Sequence, residues 1–169
     1  MVRKVQCLFS SNIYRRGAPS GAPLDAFGPL TRRAVDQPKE EDDAVLASSD
    51  LVAFVATTDL QRARAFYAGV LGLSVVAEDP FACTLDAHGT HIRLTPVDEA
   101  VVAPYTALGW TVADITATVR ALTEAGVVLQ RFPGMDQDDD GTWRAPGGAR
   151  VAWFYDIDGH TLSVTQDAP

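Results

Sequence analysis

The sequence predicts an α+β domain built from two tandem βαβββ modules. Three observations carry this: alternating apolar runs, two amphipathic helical stretches bounded by capping and stop residues, and a repeat of the same element order about 55 residues later. In the first module, Leu51–Ala56 is a β-type run. Thr58 and Gln61 have capping-box spacing, so a helix is expected to start there. Leu60, Ala63, Tyr67, Val70 and Leu71 recur at helical spacing, and Gly72 supplies a C-terminal stop. Strands follow at Leu73–Ala77, Phe81–Asp86 and His91–Val97, the last two joined by a turn at Ala87-His88-Gly89.

The second module repeats this order. Ala107–Val112 is a strand and Asp114 an N-cap. Ile115, Val119 and Leu122 mark a helix face that Gly126 ends. Val127–Phe132 is the expected second strand. After a long polar connection, Arg150–Tyr155 and Thr161–Gln166 form a hairpin around Asp156–His160. The modules span about 51–98 and about 106–166. Each would place a helix on one face of its sheet and leave the other face to line a concave groove, the natural place for a small molecule.

Residues 1–49 show no sustained apolar period. The stretch Gly17–Pro23 and the charged run Lys39–Asp43 read as a disordered or extended tail, with the folded domain at 50–167. Deleting Met1–Ala47 is therefore expected to leave the melting temperature nearly unchanged. The apolar stretch Val5–Phe9 is short and broken by Gln6, so it does not read as a secretory signal, and a cytoplasmic location is expected. No stretch approaches the roughly 18 apolar residues of a membrane span.

Net charge is −8, and residues 49–169 hold sixteen acidic and seven basic side chains. Such a surface repels phosphate backbones, so nucleic acid is not an expected partner. Cys7 and Cys83 match no disulfide or CxxC pattern, and Cys83 reads as a small core residue on a strand.

Three motifs then carry a resemblance. Asp59-Leu60, Ala65-Phe66-Tyr67 and Val70-Leu71-Gly72-Leu73 form the first; Trp110–Ile115 with Leu122 and Gly126-Val127 the second; Val151–Leu162 the third. In this order and spacing the chain resembles the vicinal-oxygen-chelate superfamily, which includes glyoxalases and bleomycin-resistance proteins. The resemblance covers Leu51–Gln166 and implies the glyoxalase/bleomycin-resistance fold. Ile157 stands where the family usually has Pro, and His160 where it has Asn. Metal-using members carry His, Gln or Glu on the first and last strand of each module. Those positions fall here at Val52, Arg93, Ala107 and Ser163. Val and Ala have no donor atom, Arg is a fixed cation, and Ser alone is a poor ligand, so no metal and no other cofactor is expected.

Strand alternation sorts the groove. Ile92, Leu94, Leu162 and Val164 should pack under the helices. His91, Arg93 and Thr95 should face the groove, with Thr161, Ser163 and Thr165, and with Val52, Phe54, Ala56, Ala107, Gly109 and Thr111 from the opening strands. Arg93 either meets a ligand anion or pairs with Asp86; His91 is either a general acid/base or a structural histidine. Trp153 and Tyr155 face opposite to Phe154, toward the groove or into packing. The connection Pro133–Gly148 carries Asp136–Asp140 and Trp143, and Trp143 is read as the aromatic of a closing loop or as packed core. His88 and His160 are expected to be solvated. The ligand-binding set is thus Phe54, Arg93, Thr95, Thr111, Trp143, Trp153 and Ser163, with His91 the catalytic candidate.

Three functions compete. One is a metal-free protein that sequesters a small, partly apolar molecule with an anionic or carbonyl group, as in resistance. The second is a metal-independent isomerase or lyase using His91 and Arg93. The third, a metal-dependent glyoxalase, dioxygenase or epimerase, is argued against by the four ligand positions. The resemblance leaves open whether facing modules come from one chain or from a homodimer.

Overall fold

The computed structural model describes residues 45–169. The tail expected over 1–49 lies outside these residues up to position 44; Val45–Ser49 forms a turn in which the Ser49 amide donates to the Leu46 carbonyl. The chain divides after Asp50, and the second unit begins at Leu51.

The first module runs β1 (Val52–Thr57), α1 (Leu60–Arg64), a π-helical segment (Ala65–Val70), β2 (Ser74–Asp79), β3 (Ala82–Ala87) and β4 (Thr90–Pro96). Asp59, not Thr58, caps α1: its carboxylate accepts the Arg62 amide at 3.0 Å. The cap sits one residue later than expected because Thr58 gives both its amide and its hydroxyl to Asp158. Gly72 ends the helical stretch at φ +77°, where a side chain would be strained. The Leu73 amide there reaches back to the Tyr67 carbonyl.

The second module runs β5 (Thr106–Thr111), α2 (Ile115–Glu124), β6 (Trp143–Arg144), β7 (Arg150–Tyr155) and β8 (Thr161–Gln166). Asp114 caps α2 by accepting the Ala117 amide at 3.0 Å. The hairpin strands match the expected ranges. Each module contributes a four-stranded mixed sheet, ordered β1-β4-β3-β2 and β5-β8-β7-β6. In each, the first strand runs parallel to the last and the other pairs are antiparallel.

One expected strand does not form. Val127–Phe132 does not form the second strand of its module. Leu129 makes a single bridge to Phe154, and the paired strand is the two-residue β6. The chain leaves the sheet edge after Gln130 because the Phe132 amide turns to the Gln137 side chain and Pro133 has no amide to offer. A short apolar run is compatible with a strand but cannot show where its amides will go.

The helix-side faces share one core. Val55, Cys83, Leu85, Ile92 and Leu94 of the first module join Ala152, Phe154, Leu162 and Val164 of the second, with Tyr67, Ile115 and Val119 from the helical segments. Burial of each larger apolar side chain contributes roughly 1.5–3 kcal/mol. The other face of each sheet therefore points away from that core.

Candidate functional site

Sheet one presents two cross-strand rows on its open face. Val52, His91 and Asp86 lie opposite one another, as do Phe54, Arg93 and Thr84. Phe54 is 69% exposed and Val52 39%. His91 is exposed and Arg93 half-buried. Asp86 falls opposite His91, and the ion pairs among the described residues join Arg64 to Glu78 and Arg150 to Asp138 and Asp140, so Arg93 is not in one. Thr95 follows on the same face, half-buried, with its hydroxyl oxygen unpartnered among the described residues.

Sheet two presents the corresponding rows Gly109-Ser163-Trp153 and Thr111-Thr165-Val151-Trp143. Here the open face is covered. Trp153 is 4% exposed, Ser163 7% and Val151 2%. The Phe132 ring meets Trp153 edge-on at 5.6 Å, and Trp143 lies 6.1 Å from Trp153. Thr111 remains exposed. Gly109 makes a close approach: a Cβ there would lie 2.8 Å from Ser163 Oγ, so the serine hydroxyl would have to turn away.

Trp143 is thus not a lid aromatic on a solvated loop. It stands on β6 opposite Val151, half-buried in an aromatic cluster, because the connection rejoins the sheet at that point. Trp153 and Ser163 do face the open side as alternation demands, but their own chain covers them.

The residues at the family's metal positions do not fit a metal. Val52 and Ala107 present alkyl groups, Arg93 a cation, and Ser163 a buried hydroxyl packed against Gly109. No group of three or more His, Cys, Asp or Glu able to hold an ion occurs among the described residues. Two concavities, of ≈ 560 Å³ beside α2 and ≈ 240 Å³ between Phe66 and Val127, lie on the helix side and are lined by none of the expected ligand residues.

The closing turn falls at Asp156–His160 as expected, but His160, expected to be solvated, is buried there. His160 is 7% exposed, and its Nε2 lies 2.9 Å from the Ala56 carbonyl of β1. Asp158 accepts the Thr57 and Thr58 hydroxyls at 2.6 Å and the Thr58 amide at 3.0 Å. Asp156 accepts the Tyr67 hydroxyl at 2.8 Å and the amides of Asp158 and His160. The turn therefore plugs into the first module. Burial, followed by the charge and hydrogen bond of Asp156, drives the Tyr67 hydroxyl far above the ordinary phenol range, so it stays a donor. Burial alone would raise the Asp158 carboxyl, but the threonine hydrogen bonds outweigh it and hold it below the usual carboxylate value. Two aspartates two residues apart before Gly159 were the available signal, read only as a hairpin turn.

Residues 49–164 match the family model of the Glyoxalase/Bleomycin resistance protein/Dioxygenase superfamily. No curated protein sequence matches the chain. Among solved structures, a member of this superfamily from Sphaerobacter thermophilus DSM 20745 is 25% identical with a TM-score of 0.54, covering 70% of this chain and 96% of its own. TioX from Micromonospora sp. ML1 is 22% identical, with a TM-score of 0.54 and coverage of 70% and 98%. The lactoylglutathione lyase from Agrobacterium tumefaciens is 16% identical, with a TM-score of 0.55 and coverage of 70% and 93%. The likenesses below 25% speak for the fold alone. The family match spans most of the chain, and the chain belongs to the glyoxalase/bleomycin resistance protein/dioxygenase superfamily.

Proposed function

We propose that this chain is a metal-free binding protein of its superfamily, holding a small, partly apolar molecule through an anionic or carbonyl group. The observation that carries this is Arg93: a half-buried arginine outside the ion pairs of the described residues, opposite the exposed Phe54. A charged donor next to an apolar wall is suited to an aromatic or alicyclic carboxylate. Sequestration fits better than metal-dependent turnover, because Val52, Arg93, Ala107 and Ser163 make a poor donor set for a metal.

An open face as bare as that of sheet one does not enclose a ligand by itself. A second wall from another copy, in a homodimer, would supply the enclosure. Sedimentation velocity tests this, with a monomer at all concentrations as the adverse result. The second reading, a metal-independent isomerase or lyase, draws on His91 and Arg93 sharing one face of β4.

The test is a titration of 2-naphthoate followed by tryptophan fluorescence or calorimetry. Arg93→Ala should weaken binding by about 1.5–3 kcal/mol, the value of a hydrogen bond to a charged group. Unchanged affinity in that variant would remove the cation from the site. Elemental analysis after dialysis against zinc, nickel, iron and manganese should find no stoichiometric metal; one equivalent per chain, lost on mutating His91, would contradict the reading.

A further inference from the structure

Residues 131–142 leave the edge of sheet two and are held firmly where they go. Gln137 accepts the Phe132 amide and donates to the carbonyls of Gln130 and Gly141. The Asp138 amide donates to the Thr142 carbonyl at 2.7 Å, and the Thr142 amide to Asp140 Oδ1 at 3.0 Å. Thr142 itself is fully buried. At Gly141 (φ +83°) the backbone comes so near Leu129 that a Cβ would stand 3.2 Å from that side chain. This fixed loop and α2 form two walls of the concavity of ≈ 560 Å³. In the first module Gly72 and Leu73 lead straight into β2, so no such loop stands beside α1.

The concavity combines an apolar base with a charged rim. Buried Val119 and Val127 and half-buried Leu129 supply the base. From α2 come Arg120 and Glu124, one turn apart, and from the loop Arg131 and Asp139, with Asp140 beside them. Arg120, Glu124, Arg131 and Asp139 are exposed, and none of them joins an ion pair among the described residues. Arg131 gives one N–H to the Asp139 carbonyl, which leaves most of its donors unused. Each wall thus brings a cation and a carboxylate to the edge of an apolar base. A ligand of one sign would meet like charge as well as unlike, whereas a ligand with both signs finds a partner for each. The volume falls within the roughly 300–1,000 Å³ of small-molecule sites.

We propose that this concavity is a second small-molecule site, on the helix side and separate from the open face of sheet one, and that it takes a zwitterion with an apolar body: a free α-amino acid with an aromatic or branched side chain. The side chain rests on Val119 and Val127. The carboxylate lies toward Arg120 and Arg131, and the ammonium toward Glu124 and Asp139. This assignment stands apart from the reading of sheet one, since the two sites share no residue.

The test is calorimetric titration of the full chain with L-phenylalanine. Two analogues accompany it: 3-phenylpropanoate, which lacks the ammonium, and 2-phenylethylamine, which lacks the carboxylate. Phenylalanine should bind about tenfold more tightly than either, the effect of one charge-assisted hydrogen bond. The double variant Arg120→Ala/Arg131→Ala should weaken phenylalanine about tenfold without weakening 2-phenylethylamine. Thr123→Trp, at an exposed position of α2 that lines the concavity, should fill it and abolish binding. The site is overturned if phenylalanine does not bind, if either analogue matches it, or if the arginine variant binds it as the unaltered chain does. Binding that persists in a folded Thr123→Trp chain overturns it as well. Circular dichroism establishes folding, and the arginine variant, altered only at exposed positions, decides the matter if Thr123→Trp does not fold.

Discussion

The two modules carry the same strands in the same order, yet one leaves its open face bare and the other buries it. The difference lies in the stretch of chain between the helix and the next strand. In the first module Leu71, Gly72 and Leu73 lead directly into β2, which forms a six-residue edge strand. In the second, the chain from Ala125 to Thr142 touches the edge briefly at Leu129 and Gln130, wanders outward, and yields only the two residues of β6. An edge strand completed in the sheet has no chain left to fold over the face. One interrupted by a polar excursion does. The same unit thus leaves an open face on one sheet and a self-filled aromatic cluster on the other.

Substitution of one aromatic on each open face tests that contrast most severely. Trp153→Ala should cost about 3–5 kcal/mol in urea unfolding, as for other buried aromatics. Phe54→Ala, at an exposed position, should stay within about 0.5 kcal/mol. Equal losses would mean that the open faces are not different in kind.

The next largest effect is expected where the modules join. Asp156→Ala strands the Tyr67 hydroxyl and two turn amides inside the protein, and should cost about 3 kcal/mol. A loss below about 1 kcal/mol would show that water replaces the carboxylate readily.

Asp158 allows the same joint to be probed by pH. Its folded pKa lies below the ordinary carboxylate value, so its contribution is complete above the unfolded pKa of about 3.9 and vanishes as pH falls through the folded value. At neutral pH Asp158→Asn should cost about 1–2 kcal/mol by weakening the bonds from Thr57 and Thr58. The gap between variant and unaltered chain should close in acid. A gap constant down to strongly acid pH would place the stabilisation elsewhere.

The smallest effect concerns Gly109, opposite Ser163. Gly109→Ala brings a methyl group to 2.8 Å from Ser163 Oγ and should cost about 1 kcal/mol, with Ser163→Gly restoring it if the contact is the cause.

Much of this architecture was legible in the chain. Asp114 and Gly126 bound α2 as read, and the hairpin strands fall on Arg150–Tyr155 and Thr161–Gln166. Ile92, Leu94, Leu162 and Val164 point to the core. Caps, glycine stops and two-residue alternation are local, and each is written in a few neighbouring residues. For the site, alternation also placed Phe54, His91, Arg93 and Ser163 on the open faces. It could not say what lies above them.

The sequence by itself therefore determined the order of the modules and the faces of their strands, because side-chain chemistry and backbone period are properties of short segments. Only the tertiary structure decided that Trp153 is covered, that Trp143 belongs to a strand, and that His160 is buried against Ala56. Each of these depends on a residue outside the strand or turn concerned, Val151 for Trp143, Phe132 for Trp153 and Ala56 for His160. No periodicity in one segment specifies which other segment will come to rest on it.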